Sequence, residues 1–242
     1  MGKHEEIADS LTQDILVGQY RLGERLPSER DLATRFDANR GAVREAMKKL
    51  EQLGIADIQP GGARVAPLQE ASLDVIGHML AVGELPDRKL VDQILEVMDA
   101  LMRVAVESAL AEASDDTIET LRSFVNPLFN EDLAHKAHME AQVALMGAIM
   151  RASDNLVCQL IARSVLLQFG PRMAPLQQYS QLDTKAHATY ARQLDLALAS
   201  RDLEAIRAVF VAFAKLHHDS VMRAYAAYEL ARTGAAQEVA AS

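Results

Sequence analysis

The chain has 242 residues, enough for two ordinary domains with a core each, and half of them are hydrophobic and 24% charged, an ordinary soluble composition. No apolar run approaches the ~20 residues that span a bilayer, and the polar start MGKHEEIADS has no apolar stretch. A membrane span and a secretory leader are therefore not expected, and a cytoplasmic location is. The net charge of -9 argues against nucleic acid until it is resolved along the chain: residues 20–65 hold nine Lys or Arg against seven Asp or Glu, which is +2 and leaves -11 elsewhere. Any phosphate contact belongs to that window.

Ile7, Leu11, Ile15 and Leu16 recur at helical spacing and predict a first helix over 5–17, closed by Gly18. Ser28 follows Pro27 as an N-cap, with Asp31 three residues on, and opens a second helix over 29–36. Asn39 caps a third, in which Val43, Met47 and Leu50 form an apolar stripe while Arg40, Arg44 and Lys48 share another face. GIADIQPGGARVAP (54–67) has short β-prone pieces around Pro-Gly-Gly and predicts a two-stranded hairpin. That order is a winged helix-turn-helix. Past Pro67 the pattern is helical throughout, with helices expected near 69–82, 87–111, 114–129, 130–152, 155–174, 183–200 and 202–230. The expected fold is mainly α: a winged helix-turn-helix domain over 1–68, an all-α helical bundle over 69–232, and a disordered tail over 233–242, which lacks an apolar period.

A recognition helix needs flexible cations and small residues where it enters the major groove. Asn39, Arg40, Gly41 and Arg44 meet that need: Arg40 suits guanine O6 and N7, Gly41 permits close approach, and Arg30 and Arg44 flank the groove. Gly61 and Gly62 form a wing tip able to approach the minor groove. A single surface arginine usually stands in solvent and does nothing more; the set in this order points to double-stranded DNA. Because one such domain reads few base pairs, a homodimer on a near-palindromic operator is expected. Cys158, inside LVCQLIA, reads as a buried structural thiol. His135, His138, His187, His217 and His218 read as surface histidines, with His138 beside Glu140 or His187 as the fallback metal pair. The motifs of serine hydrolases, zincins, Walker nucleotide sites and dinucleotide folds are missing, so catalysis is not expected.

Residues 22–65, LGERLPSERDLATRFDANRGAVREAMKKLEQLGIADIQPGGARV, resemble the winged-helix domain of the GntR family of bacterial transcription regulators, with its L-P-S-E-R-x-L-A and V-S-R-x-x-V-R-E-A-L runs. The departures, Ala38-Asn39 for Val-Ser and Gly41 for a polar residue, bear on which operator is read. The resemblance implies DNA contacts at Arg30, Arg40 and Arg44, with Asn39 and Gly41 as their neighbours and Gly61 as the wing-tip glycine. The remainder, with ASDN at 152–155 and LALASRDLEAIRAVF at 196–210, resembles the effector domain of the FadR-like subgroup. Many members of that subgroup hold a divalent metal with an Asp-x-x-x-His pair before this turn and two later histidines. Register places Gln142, Met146, Ala191 and Phe213 at those positions, so neither that metal nor a cofactor is expected. Met146, Met150, Leu194, Phe210 and Phe213, with Arg103, Gln142 and Ala191, then form a candidate effector site suited to an acyl-CoA. A small carboxylate metabolite is the alternative. Effector entry is expected to lower operator affinity and relieve repression. A non-catalytic helical adaptor for protein partners is the reading from another class, and salt-sensitive retention on DNA separates the two.

Overall fold

The computed structural model describes residues 2–111 and 113–241, with side chains described through Thr233. Its first compact unit holds residues 2–87 with 164–172. Here α1 (Lys3–Leu16), α2 (Glu29–Arg35) and α3 (Arg40–Gln52) precede β1 (Ala56–Gln59) and β2 (Gly62–Val65), the expected helix, helix, basic helix and hairpin. Ile7, Leu11 and Ile15 of α1 meet Leu32 of α2 and Val43, Ala46, Met47 and Leu50 of α3, and Ile55 and Val65 close the same core from the hairpin. Burying each such large side chain stabilises the fold by about 1.5–3 kcal/mol, which fixes the angle at which α3 presents its other, polar face. The strands pair antiparallel, with Ala56 opposite Val65 and Gln59 opposite Gly62. The loop before α2 adds an edge: Leu26 N–H donates to the Ala63 carbonyl (2.9 Å) and Val65 N–H to the Glu24 carbonyl (3.0 Å).

The helix expected over 69–82 is replaced by a single 3-10 turn at Leu68–Glu70, an extended Ala71 and the short α4 (Val75–Met79). Ser72 N–H donates to the Leu53 carbonyl (2.9 Å), a long-range bond that a continuous helix would forfeit. Ala71, Val75 and Met79 then pack on the N-terminal core, which carries the first unit to residue 87 rather than 68.

The second unit, residues 88–163 with 173 onward, is built from α5 (Arg88–Ala111), α6 (Asp115–Val125), α7 (His135–Ala152), α8 (Leu156–Arg172, whose second half belongs to the first unit), α9 (Thr184–Ser200) and α10 (Leu203–Ala241). The expected tail at 233–242 lies, but for Thr233, outside the residues whose side chains are described. Between α6 and α7 the helices expected over 114–129 and 130–152 are shortened where they meet. A 3-10 turn at Asn126–Phe129 contains Pro127, and Asn130 is extended with its Oδ1 accepting from Asp132 N–H (3.0 Å), so α7 begins only at His135. In the bundle α5 packs on α7 and α10, α6 on α7 and α9, and α9 on α10. Arg122 of α6 donates two hydrogen bonds to Asp195 of α9 (2.8 and 3.1 Å), and Arg207 of α10 one to Glu107 of α5 (2.7 Å). Asn155 Oδ1 caps α8 by accepting from Cys158 N–H (3.0 Å), and the Cys158 thiol is buried, as its apolar setting implied.

Candidate nucleic-acid interface and effector pocket

Two side-chain caps set the interface. Ser28 Oγ accepts from Asp31 N–H (3.3 Å) at the start of α2, and Asn39 Oδ1 from Ala42 N–H (2.8 Å) at the start of α3. Between them Asp37 turns the chain with a left-handed φ of 46°. A Cβ at position 41 would lie 3.1 Å from the capping oxygen of Asn39, so Gly41 leaves the cap undisturbed and the first turn of α3 open to a close approach. Arg30 and Arg40 are exposed, and among the described residues neither guanidinium has a hydrogen bond or an ion pair.

Arg44 differs from them. Its Nε donates to both carboxylate oxygens of Glu29 (3.0 and 2.9 Å), tying α3 to α2. Both side chains are exposed, so the pair contributes less than ~1 kcal/mol and a phosphate can exchange for the carboxylate. At the wing tip Gly61 and Gly62 have φ of 111° and 127°, a conformation that favours glycine. Sequence reasoning did not single out the cations beside it. Arg25 donates to the Gly61 carbonyl and Arg64 to the Gly23 carbonyl (2.8 Å), and both are exposed. The excess of basic residues in this window was their only trace in the sequence.

In the second unit, residues of α5, α7 and α10 surround a cavity of about 50 Å³ lined by Asp99, Met102, Gln142, Met146, Phe210 and His217, among others. Of the expected effector residues, Gln142, Met146, Phe210 and Phe213 line it, and Arg103, Met150, Ala191 and Leu194 do not. Ala191 and Leu194 are wholly enclosed in the core. Burial pushes the Asp99 carboxyl above its usual range, partly offset by the charges of Arg103 and His218.

Beside this cavity the histidines depart from expectation. His138 and His187 are buried rather than on the surface, and His217 is half-buried. The His187 ring lies 4.8 Å from that of His138, 5.2 Å from that of His217 and 5.6 Å from that of Phe213, centre to centre. Gln142 Nε2 donates to His187 Nδ1 (2.9 Å). Both ring nitrogens of His138, and Nε2 of His187 and of His217, are buried without a partner. Burial, helped by neighbouring imidazoles, pushes His187 down to about 3 and His217 down to about 4, and it lowers His138 too, so the rings are neutral at pH 7. The signal was in the sequence: His138, His187 and His217 each stand one turn, four residues, from Gln142, Ala191 and Phe213, on faces that carry the core. At the family's register positions the amide, thioether, methyl and phenyl groups do not make a metal site. Among the described residues no group of three His, Cys, Asp or Glu side chains stands ready to hold an ion, and no helix is long and apolar enough to cross a membrane.

Residues 3–65 match the family model of bacterial regulatory proteins, gntR family. The chain is 30% identical over 172 residues to an uncharacterized HTH-type transcriptional regulator of Mycobacterium tuberculosis, covering 69% of each chain. It is 27% identical over 203 residues to the HTH-type transcriptional regulator Mce2R of the same species, covering 82% of each. Lar, which controls the expression of the Listeria monocytogenes agr system, has a solved structure that matches with a TM-score of 0.54 at 16% identity, covering 93% of this chain and 97% of that one, a likeness of fold alone.

Proposed function

The chain belongs to the GntR family of bacterial regulatory proteins and is a DNA-binding transcriptional regulator rather than an enzyme, and from that premise we propose that it binds a palindromic operator as a homodimer and is a cytoplasmic, FadR-like repressor released by a small effector. The observation that carries the operator reading is the pair of exposed guanidiniums without a partner among the described residues, Arg30 on the first turn of α2 and Arg40 at the capped start of α3. Such a cation has no internal partner to give up when it meets a guanine edge or a phosphate. In this reading Arg40 reads a base, Arg30 and Arg44 hold the flanks, Asn39 and Gly41 shape the approach, and Gly61 and Gly62 bring the wing backbone to the minor groove. Selection from random duplexes with the full chain, followed by binding titrations at several salt concentrations, tests it. A palindromic site whose affinity falls steeply with salt supports the regulator, and salt-indifferent or absent retention favours the protein-binding adaptor.

Two effector classes compete for the helical unit. A cavity of about 50 Å³ falls far short of the ~300 Å³ at which ligand pockets begin, and Asp99, Gln142 and His217 give it polar groups. The small volume favours a small carboxylate over an acyl-CoA, which would have to open the bundle. The effector shifts operator occupancy by no more than its differential affinity for the free and DNA-bound forms. A thermal-shift series of small carboxylates and acyl-CoAs separates the two classes, because a ligand of the native state raises its apparent stability.

A further inference from the structure

We infer that the groove between α1, α4 and the second half of α8, within the first unit, binds a short zwitterionic peptide of about three residues.

The groove has a volume of about 560 Å³, inside the ~300–1,000 Å³ of ordinary ligand sites and far above the 50 Å³ or so of the bundle cavity. Asp9, Gln13 and Leu16 form one wall, on the face of α1 opposite the buried stripe of Ile7, Leu11 and Ile15, so the core of the winged helix makes no use of them. Asp74, just before α4, and Val82, just after it, stand on the second wall, and Leu167, Gln168 and Arg172 of α8 on the third. All of these residues belong to the first unit. Gly77 lets α8 approach α4 closely, because a Cβ there would collide with the Gln168 carboxamide. Gln168 Nε2 donates to the Ser164 carbonyl (3.0 Å), which holds that side chain in place.

Charge identifies the occupant. Asp9, Asp74 and Arg172 are exposed, and among the described residues none makes a hydrogen bond or an ion pair through its side chain. The groove therefore holds two carboxylates and a guanidinium that do not neutralise one another. An ammonium answers the aspartates, and a carboxylate answers the arginine with two parallel hydrogen bonds. A diamine would leave Arg172 unanswered, a dicarboxylate would set like charges beside Asp9 and Asp74, and a wholly apolar molecule would desolvate all three. Leu16, Val82 and Leu167 add apolar surface, and the amides of Gln13 and Gln168 can pair with peptide groups. Length agrees with a peptide. From Asp9 to Leu16 the helix rises roughly 10 Å at ~1.5 Å per residue, and an extended chain covers that distance with about three residues.

The test uses the full chain, free of DNA and with labelled Leu and Val methyl groups, titrated with the tripeptide leucyl-alanyl-leucine. Because no DNA is present, neither outcome depends on the operator reading. Saturable binding of one peptide per chain is expected, with shifts at Leu16, Val82 and Leu167 and none at Leu128 and Leu145, which line the bundle cavity. Acetylating the peptide amine or amidating its carboxylate should each weaken binding on the order of tenfold. Arg172→Gln should weaken it similarly and bind the free and amidated peptides alike, and the double variant Asp9→Asn, Asp74→Asn should do the same for the free and acetylated ones. All three side chains are exposed and without partners among the described residues, so the melting temperature should hold. Absence of saturable binding, equal binding of the doubly blocked peptide, or free leucine binding as tightly as the tripeptide overturns the site. So do shifts confined to Leu128 and Leu145, or groove methyls shielded from a soluble paramagnetic probe by a second copy of the chain.

Discussion

Replacing Arg40 with Ala tests the reading of α3 most directly. Arg40 is exposed on the first turn, and among the described residues its guanidinium makes no hydrogen bond or ion pair. Its removal therefore takes nothing from the fold: the cap of α3 belongs to Asn39, the buried stripe to Val43, Met47 and Leu50, and an exposed change of this kind moves stability by no more than ~0.5 kcal/mol. On DNA the same truncation removes a bidentate base contact, with a loss of about 1–3 kcal/mol, a factor of roughly 5 to 150 in Kd. Fluorescence anisotropy on the selected operator and on variants of each base pair reads both quantities the argument needs. Affinity should fall, and discrimination should relax at one base pair in each half-site. Arg44→Ala provides the contrast, because Arg44 is already engaged by Glu29; its effect should be smaller and spread evenly over sequences. An Arg40→Ala protein with undiminished affinity and unrelaxed specificity would refute the assignment, and one with a lowered melting temperature would refute the claim that Arg40 is free of the fold.

Asn39→Ala deletes the capping oxygen of α3 and should cost about 0.5–2 kcal/mol in urea unfolding; an unchanged midpoint would mean the cap contributes nothing. Leu194→Ala, in the enclosed core of α9, should destabilise by about 2–5 kcal/mol, whereas a loss below ~1 kcal/mol would place Leu194 against open space, as the sequence had suggested. Acid should weaken the protein above the range of ordinary carboxylate titration. His187 and His217 have folded values near 3 and 4, below the ordinary 6.5, so their share of stability is complete above pH 6.5 and is lost as the unfolded chain alone takes up protons below it. Between pH 6.5 and 5 that amounts to roughly 1–2 kcal/mol for each ring, with His138, His217 and the Asp183 carboxylate the charges that act on His187. Unfolding free energies that stay level over this interval, or that slope equally in His187→Gln, would contradict the buried neutral state.

The DNA-binding half was legible because its signals are local. Ser28 and Asn39 cap helices through amides three residues ahead, and Ile7, Leu11 and Ile15, like Val43, Met47 and Leu50, mark one face by spacing alone. The helix expected over 69–82 failed where a distant group intervened: Ser72 gives its N–H to the Leu53 carbonyl, and periodicity carries no information about that partner. The effector residues divide the same way. The sequence reading put Gln142, Met146, Phe210 and Phe213 on what is the cavity wall but also named Ala191 and Leu194, which lie in solid core, since a period identifies the inward face of a helix and not what lies opposite it.

By itself the sequence determined the winged helix, its two caps, the exposed basic face of α3 and the helical character of the rest, because each depends on residues within a turn or two of one another. Only the tertiary structure decided that Arg44 answers to Glu29, that Arg25 and Arg64 brace the wing, and that three histidines scattered along the chain share one buried cluster. The physical reason is separation: an isolated imidazole on an amphipathic helix looks the same whether it faces water or two others, and that choice is made by the packing of helices far apart in sequence.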